Sequence, residues 1–338
     1  MSRLYYRPIA QTDSRRPAGA LPLAGGWCWF DRAEVLDRAG SRGLVAAADL
    51  PADVQARLTG PRAALAGLSV DRPRLMGILN VTPDSFSDGG RFASADSALE
   101  RALHLAQSSD ILDIGGESTR PGAAEVPVAE EVRRTAPLIA DLRRGGLKAP
   151  ISIDTRKAEV ARAAVAAGAG LINDVAAMTH DPALGRVAAE SGLPLCLMHA
   201  QGTPATMQAD PRYDDVLLDV YDFLEERLAA AEAMGIPRAR LIADPGIGFG
   251  KTMDHNLTLL RGLSLFHGLG VPVLLGASRK RFIGTIAEEP QADRRDPGSI
   301  AVTLAGVAQG IQIHRVHDTQ GTRQALSLWQ AVQGGVTA

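Results

Sequence analysis

The sequence predicts an α/β protein whose main body is a (β/α)8 barrel carrying an N-terminal extension. Three observations predict it. Eight short apolar runs recur from Arg74 onward, each run is followed by a helical pattern, and no signature of a competing fold interrupts them. Strands that alternate with helices imply right-handed βαβ units and a parallel sheet. Eight units over roughly 260 residues match such a barrel in count and size. An open doubly wound sheet also fits the alternation, but its glycine-rich fingerprint after the first strand is missing.

The runs are RLMGILNV, DILDIGGE, PISIDT, GLINDV, LPLCLMHA, RLIADPG, VPVLLGAS and IQIHRVHD. Between them, 94–107, 128–144, 157–167 and 214–234 repeat apolar residues at helical spacing. Residues 1–70 have a different texture. They hold RRPAGALPLAGG, then Trp27-Cys28-Trp29-Phe30, then a short Ala/Arg-rich helical pattern over 54–65. No chemistry-bearing pattern occurs there. The expectation is an extension of unknown role packed on the barrel domain (71–338) or on a partner subunit, with its two tryptophans buried.

Composition bounds the function. Of 338 residues, 46% are hydrophobic and 22% charged, ordinary for a soluble globular protein. A net charge of -2 gives no general electrostatic reason to expect nucleic acid or an anionic membrane as partner. Cys28 and Cys196 stand far apart with no C-x-x-C pattern, which fits a reducing compartment and places Cys196 in the core. No apolar stretch approaches the ~18 residues of a membrane span, and MSRLYYRPIA lacks a signal-peptide core. A cytoplasmic location is expected.

Active sites of such barrels sit at the carboxyl ends of the strands. Here those ends carry Asn80, then Gly115 to Gly122, then Asp154-Thr155-Arg156-Lys157, then Asn173-Asp174. Next come Met198-His199, Asp244-Pro245-Gly246 leading to Lys251, Ser278-Arg279-Lys280-Arg281, and Arg315-Val316-His317-Asp318. Each has a bland reading. Asp154 and Asp174 fit helix caps, Arg156, Lys157 and Lys251 fit solvated surface, and His317 alone fits a hydrogen-bonded structural histidine. Recurrence at all eight strand ends favours a site, because independent capping does not predict it. Asp154, Asn173, Asp244 and Lys280 suit a flat heterocycle with an amino-pyrimidinone edge. Asn80, Arg315 and His317, with Ser278 nearby, suit a phosphorylated group, and a neutral Asn oxygen suits Mg²⁺ held largely by phosphates. Loops with Phe86, Thr119, Arg120 and Pro121 suit closure over a second small-molecule substrate. No Cys/His set has zinc-ligand spacing and no G-x-S-x-G elbow occurs.

At these residues the sequence resembles the dihydropteroate synthase family, the folate-pathway enzymes that sulfonamides inhibit. MGILNVTPDSFSDGG and DIGGESTRPGA are similar to its two signature segments. SIDTRK, LINDV, LMHAQGTP, DPGIGFGK, GASRKRFIG and RVHD follow in the family's order. The resemblance runs from Arg74 to the C-terminus and leaves 1–70 outside. It implies that Asp154, Asn173, Asp244 and Lys280 hold the pterin, with Val175 and Met198 lining the pocket and Gly276 adding backbone contact. It implies Asn80, Arg315 and His317 for the diphosphate, with Mg²⁺ bridging Asn80 and the leaving group. Phe86, Thr119, Pro121, Phe249 and Ser278 resemble the 4-aminobenzoate pocket, and Arg120 belongs to the second closing loop. Catalytic roles fall to Asp154, Lys280, Arg315 and His317, in a homodimer. Ile247 departs from the family, which often has an aromatic there. A related barrel that moves a methyl group from methyltetrahydrofolate to a corrinoid shares the Asp/Asn/Asp edge. It needs neither the diphosphate set nor the Thr119-Arg120-Pro121 loop. A non-catalytic pterin-binding homologue would be expected to have lost some of these residues, and none is missing.

Overall fold

The computed structural model describes residues 3–81, 91–118, 123–202 and 206–334, with the backbone alone at 91–96. The chain opens with β1 (Tyr5–Pro8), the short pair β2 (Leu21–Pro22) and β3 (Trp29–Phe30), then β4 (Arg32–Asp37), β5 (Gly40–Ala46) and α1 (Ala52–Thr59). β1, β4 and β5 form an antiparallel sheet in the order β1-β4-β5. The helical pattern expected over 54–65 starts earlier and stops at Thr59. Gly60-Pro61 ends it, because the residue before a proline is pushed out of the helical region. Leu23, Cys28, Phe30, Leu50, Val54 and Leu58 build a small core of their own.

Several contacts tie this unit to the barrel. The Tyr5 hydroxyl donates to the Asp222 carboxylate at 2.8 Å, and Trp27 Nε1 donates to the Val307 carbonyl at 2.9 Å. Trp29 is buried and Trp27 half-buried. The segment leaving α1 then runs under the barrel and inserts Leu65 and Val70 into its amino end.

The barrel strands are β6 (Arg74–Asn80), β7 (Ile111–Gly115), β8 (Ile151–Asp154), β9 (Leu171–Asp174), β10 (Leu195–Met198), β11 (Leu241–Asp244), β12 (Leu274–Leu275) and β13 (Ile313–Val316). The surrounding helices are α2 (Arg91–Ala106), α3 (Val128–Arg144), α4 (Ala158–Ala167), α5 (Ala183–Ser191), α6 (Val216–Ala233), α7 (Met253–Arg261), α8 (Arg281–Ile286), α9 (Asp296–Val307) and α10 (Thr319–Val332). Sheet order is β11-β10-β9-β8-β7-β6-β13-β12, all parallel. A parallel bridge from Ala243 to Val273 joins the two ends, so the eight strands close. The run VPVLLGAS yields only a two-residue strand, and its upstream residues complete the closure through Pro272 O, which accepts from Ala243 N at 3.0 Å.

Side chains of a strand alternate between faces, and this sets two interior layers. Met76, Ile111, Leu171, Cys196, Ile242, Leu274 and Ile313 form one buried apolar cluster with Leu65 and Val70 beneath it. Two residues further along the same strands stand Ile78, Asp113, Asn173, Met198, Asp244, Gly276 and Arg315. Residues of opposite parity, such as Leu79, Leu112, Ile153 and Leu197, pack outward against the helices. The barrel is therefore an apolar plug supporting a polar floor at its carboxyl end.

Leu65 is 1% exposed at the base of that plug. Leu65→Ala is expected to lower unfolding free energy by about 3 kcal/mol in urea titrations, through lost burial and a cavity. A loss under about 1 kcal/mol would show that the extension only rests on the barrel.

Candidate active site

The polar floor opens into a cavity of about 910 Å³ whose walls include Asn80, Asp154, Phe249, Lys280, Arg315 and His317. At its base Arg315, from β13, reaches across to two carboxylates. Its Nε donates to Asp113 Oδ2 at 2.5 Å and its Nη2 to Asp154 Oδ2 at 2.6 Å. Asp113 Oδ2 also accepts from Asn173 Nδ2 at 3.2 Å. Asp154 Oδ1, Asp113 Oδ1 and Ser152 Oγ are buried acceptors or donors with no partner among the described residues. Burial pushes the Asp154 carboxyl up from an ordinary 3.8 to about 7, against the attraction of Arg315 and with the Asp113 charge adding to the rise. Burial opposes the charge on Arg315, but the Asp113 and Asp154 carboxylates prevail and hold it above its ordinary range.

On the opposite side, Asp244 ends β11 and accepts from Gly246 N at 2.7 Å. Burial pushes its carboxyl up to about 6, against that N–H and the charge of Lys280. The DPGIGFGK turn needs glycine here. Gly246 has φ +67°, and a Cβ there would lie 1.8 Å from the His199 carbonyl oxygen. Lys280 Nζ donates to Ile247 O at 2.5 Å and lies 3.9 Å from the centre of the Phe249 ring. Burial pulls its ammonium down to about 7, with Asp244 opposing. The preceding Arg279 adopts φ +59°, costly for a side chain. It is held there by two bonds to Asp296 at 2.7 Å each and by its N–H to Ser299 Oγ at 2.8 Å. The Ser278 hydroxyl is within 3.0 Å of His317 Nδ1 and accepts from His317 N at 3.2 Å. Asn80 ends β6 beside Gly115.

The remaining expected residues fall as follows. Met198 is buried beside Asp244 in register, Gly276 faces Asp244 and Arg315, and Val175 is half-buried just past β9. Phe86, Thr119, Arg120 and Pro121 lie outside the described residues. The bland reading of Asp154 as a cap fails, since α4 begins at Ala158 with no side-chain cap. It fails for Asp174 too: the next helix, α5, begins at Ala183, and Asp174 instead accepts from Ala176 N at 2.8 Å and Met178 N at 2.5 Å within the turn that follows β9.

Two surface readings are overturned. Lys157 is only 5% exposed, clasped by Glu117 at 2.5 Å and Glu131 at 2.8 Å, with Arg156 on Glu117 at 2.8 Å. Lys251 is 3% exposed, bonded to His199 Nδ1 and Gly246 O at 2.9 Å and to Phe249 O at 3.0 Å. Burial of these lysines depends on partners brought in by tertiary structure, which local pattern does not carry. Asp113, 0% exposed, was missed as a site residue. Its signal was an aspartate inside the apolar run DILDIGG at the inward parity of Gly115.

A closed (β/α)8 barrel with one guanidinium shared by two buried carboxylates at its mouth, and a third carboxylate opposite, is an enzyme scaffold with a site for a small polar ligand. The family model described as pterin binding enzyme matches residues 76–317. The dihydropteroate synthase of Escherichia coli (strain K12) is 45% identical over 265 residues, 78% of this chain and 93% of that protein. A structure of Xanthomonas albilineans dihydropteroate synthase with 4-aminobenzoic acid superposes with TM-score 0.76 at 49% identity, covering 82% of this chain and 99% of that one. One of the Yersinia pestis enzyme in a sulfonamide complex gives 0.74 at 43%, covering 79% and 97%. The chain belongs to the dihydropteroate synthase family of pterin-binding enzymes.

A pH dependence follows for the unliganded protein. The folded state keeps a proton on Asp154 that the unfolded chain releases, so stability falls as pH rises from 3.8 to about 7. Urea titrations across that window are expected to show a flatter decline for Asp154→Asn than for the parent. Parallel profiles would contradict the shift.

Proposed function

We propose that the protein condenses (7,8-dihydropterin-6-yl)methyl diphosphate with 4-aminobenzoate, giving 7,8-dihydropteroate and diphosphate. The observation that carries this reading is the Asp113–Arg315–Asp154 cluster, with Asp154, Arg315 and Lys280 lining one cavity and Asp244 set behind its wall at Gly276. Asp154, Asn173 and Asp244 present acceptors suited to the N–H groups of an amino-pyrimidinone, while Lys280 donates to its ring acceptors. Val175, Met198 and Gly276 would flank the ring. Arg315, His317 and Asn80 would take the diphosphate, with Arg315 stabilising charge as the methylene C–O bond breaks.

The positive charge left on the methylene spreads over the pterin, where the ionised Asp154 carboxylate stabilises it electrostatically. The aniline nitrogen of 4-aminobenzoate, seated by Phe249 and Ser278 with Phe86, Thr119, Arg120 and Pro121 closing above, then attacks and loses its proton. Catalysis rests chiefly on orientation and charge. The described residues hold no cluster of three His, Cys, Asp or Glu for a metal. A single neutral Asn80 oxygen fits Mg²⁺ held mainly by substrate phosphates. When bound, that ion would neutralise charge on the leaving diphosphate.

The remaining assignments belong to the same reading. Residues 1–70 would serve the barrel's stability, supported by Leu65 and Val70 in its floor. Exposed Leu328 and Val332 on α10 support a homodimer. Free, buried cysteines support a cytoplasmic setting, and the sulfonamide complex of the Yersinia pestis relative supports sulfonamides as inhibitors.

The test is formation of dihydropteroate with stoichiometric diphosphate from both substrates and Mg²⁺, abolished by EDTA. Asp154→Asn is expected to lower kcat by about 100-fold, in the range seen when one electrostatic contact to a transition state is removed, with the fold intact. Substrate binding without diphosphate release in the parent would leave a pterin-binding protein instead. Near-normal turnover in the variant would remove Asp154 from the chemistry.

A further inference from the structure

We infer that Asp113 is a positioning residue that sets which end of the Asn173 amide meets the substrate. This rests on the pterin reading above. Asp113 lies one layer below the strand ends, in register with Ile78 on one side and Ser152 on the other. It is fully buried, so its carboxylate meets the substrate site only through its neighbours.

One of its oxygens does two jobs. Oδ2 accepts from Arg315 Nε at 2.5 Å and from Asn173 Nδ2 at 3.2 Å. A carboxylate only accepts, so it fixes the amide of Asn173 with its nitrogen toward Asp113 and its carbonyl oxygen directed elsewhere. Asn173 Oδ1 is thereby committed as an acceptor for a ring N–H. Without Asp113, an amide flip would offer that N–H a donor, and the contact would turn repulsive.

The same oxygen anchors the inner nitrogen of Arg315, while Asp154 anchors an outer one. Asp113 therefore couples the ring side of the site to the anion side. Its second oxygen, Oδ1, and the adjacent Ser152 Oγ are buried without partners among the described residues.

The test exchanges the polarity of the pair. In Asp113→Asn, one orientation of the new amide offers its oxygen to both Arg315 and Asn173 and the other offers them a nitrogen donor, so position 113 no longer dictates how the Asn173 amide is turned. In the double variant D113N/N173D, the carboxylate introduced at position 173 presents an acceptor to the ring whichever way it turns, and Arg315 keeps its bond to Asp154. Net charge is unchanged. Calorimetric binding of 6-hydroxymethylpterin, which carries no diphosphate, is the readout, with circular dichroism as the fold control.

D113N is expected to weaken binding about tenfold, the scale of one buried hydrogen bond lost. The double variant is expected to recover to within about threefold of the parent. If D113N does not fold, the double variant against the parent carries the comparison. Unchanged binding in folded D113N, or a double variant weaker than the parent by about tenfold or more, overturns the proposal. Failure of the parent itself to bind 6-hydroxymethylpterin overturns the pterin reading instead.

Discussion

One guanidinium shared by two buried carboxylates organises this site. Arg315 reaches from β13 to Asp113 on β7 and Asp154 on β8, across the width of β6 that lies between β13 and β7. Placing three charges below the surface is expensive, and removing the shared guanidinium would leave two carboxylates uncompensated. The arrangement persists because each strand fixes its own residue at one height. It leaves Asp154 Oδ1 without a partner among the described residues and the carboxyl held up by burial.

That height comes from the layer beneath. The apolar cluster of Met76, Ile111, Leu171, Cys196, Ile242, Leu274 and Ile313 fills the barrel, and Leu65 and Val70 close it from below. A packed interior of this kind resists compression, so the polar layer above it keeps its geometry. The extension thus meets the barrel at its floor rather than at its mouth. At the rim the loops are held by two buried lysines. Lys251 gathers the DPGIGFGK turn through Gly246 O and Phe249 O, and Lys157 clasps Glu117 and Glu131.

The alternation of runs and helices made the barrel legible in the sequence, since each run carried strand length and each spacer helical period. Helix α3 begins and ends where periodicity placed it, at Val128–Arg144. Strand ends showed where ionisable groups would meet, and Asp154, Asp244, Lys280 and Arg315 do meet. Asp113 was hidden because a single aspartate within an apolar run has no local mark of function; only parity relative to Gly115 exposes it. Lys157 and Lys251 were hidden because their carboxylate, histidine and carbonyl partners come from distant loops. The fold of 1–70 was illegible for a related reason. Its core of Leu23, Cys28, Phe30 and Leu58 assembles from turns and two-residue strands too short to show a period.

The central claim is that the polar layer above the plug receives a pterin ring. A crystal structure with 6-hydroxymethylpterin bound tests it most directly. The account predicts the ring in the cavity, its amino-pyrimidinone edge within hydrogen-bonding distance of Asp244 and of Asp154 or Asn173. Arg315 should still rest on Asp113. A ring bound elsewhere on the molecule, or seated in the mouth without contact to any of these three residues, would contradict it.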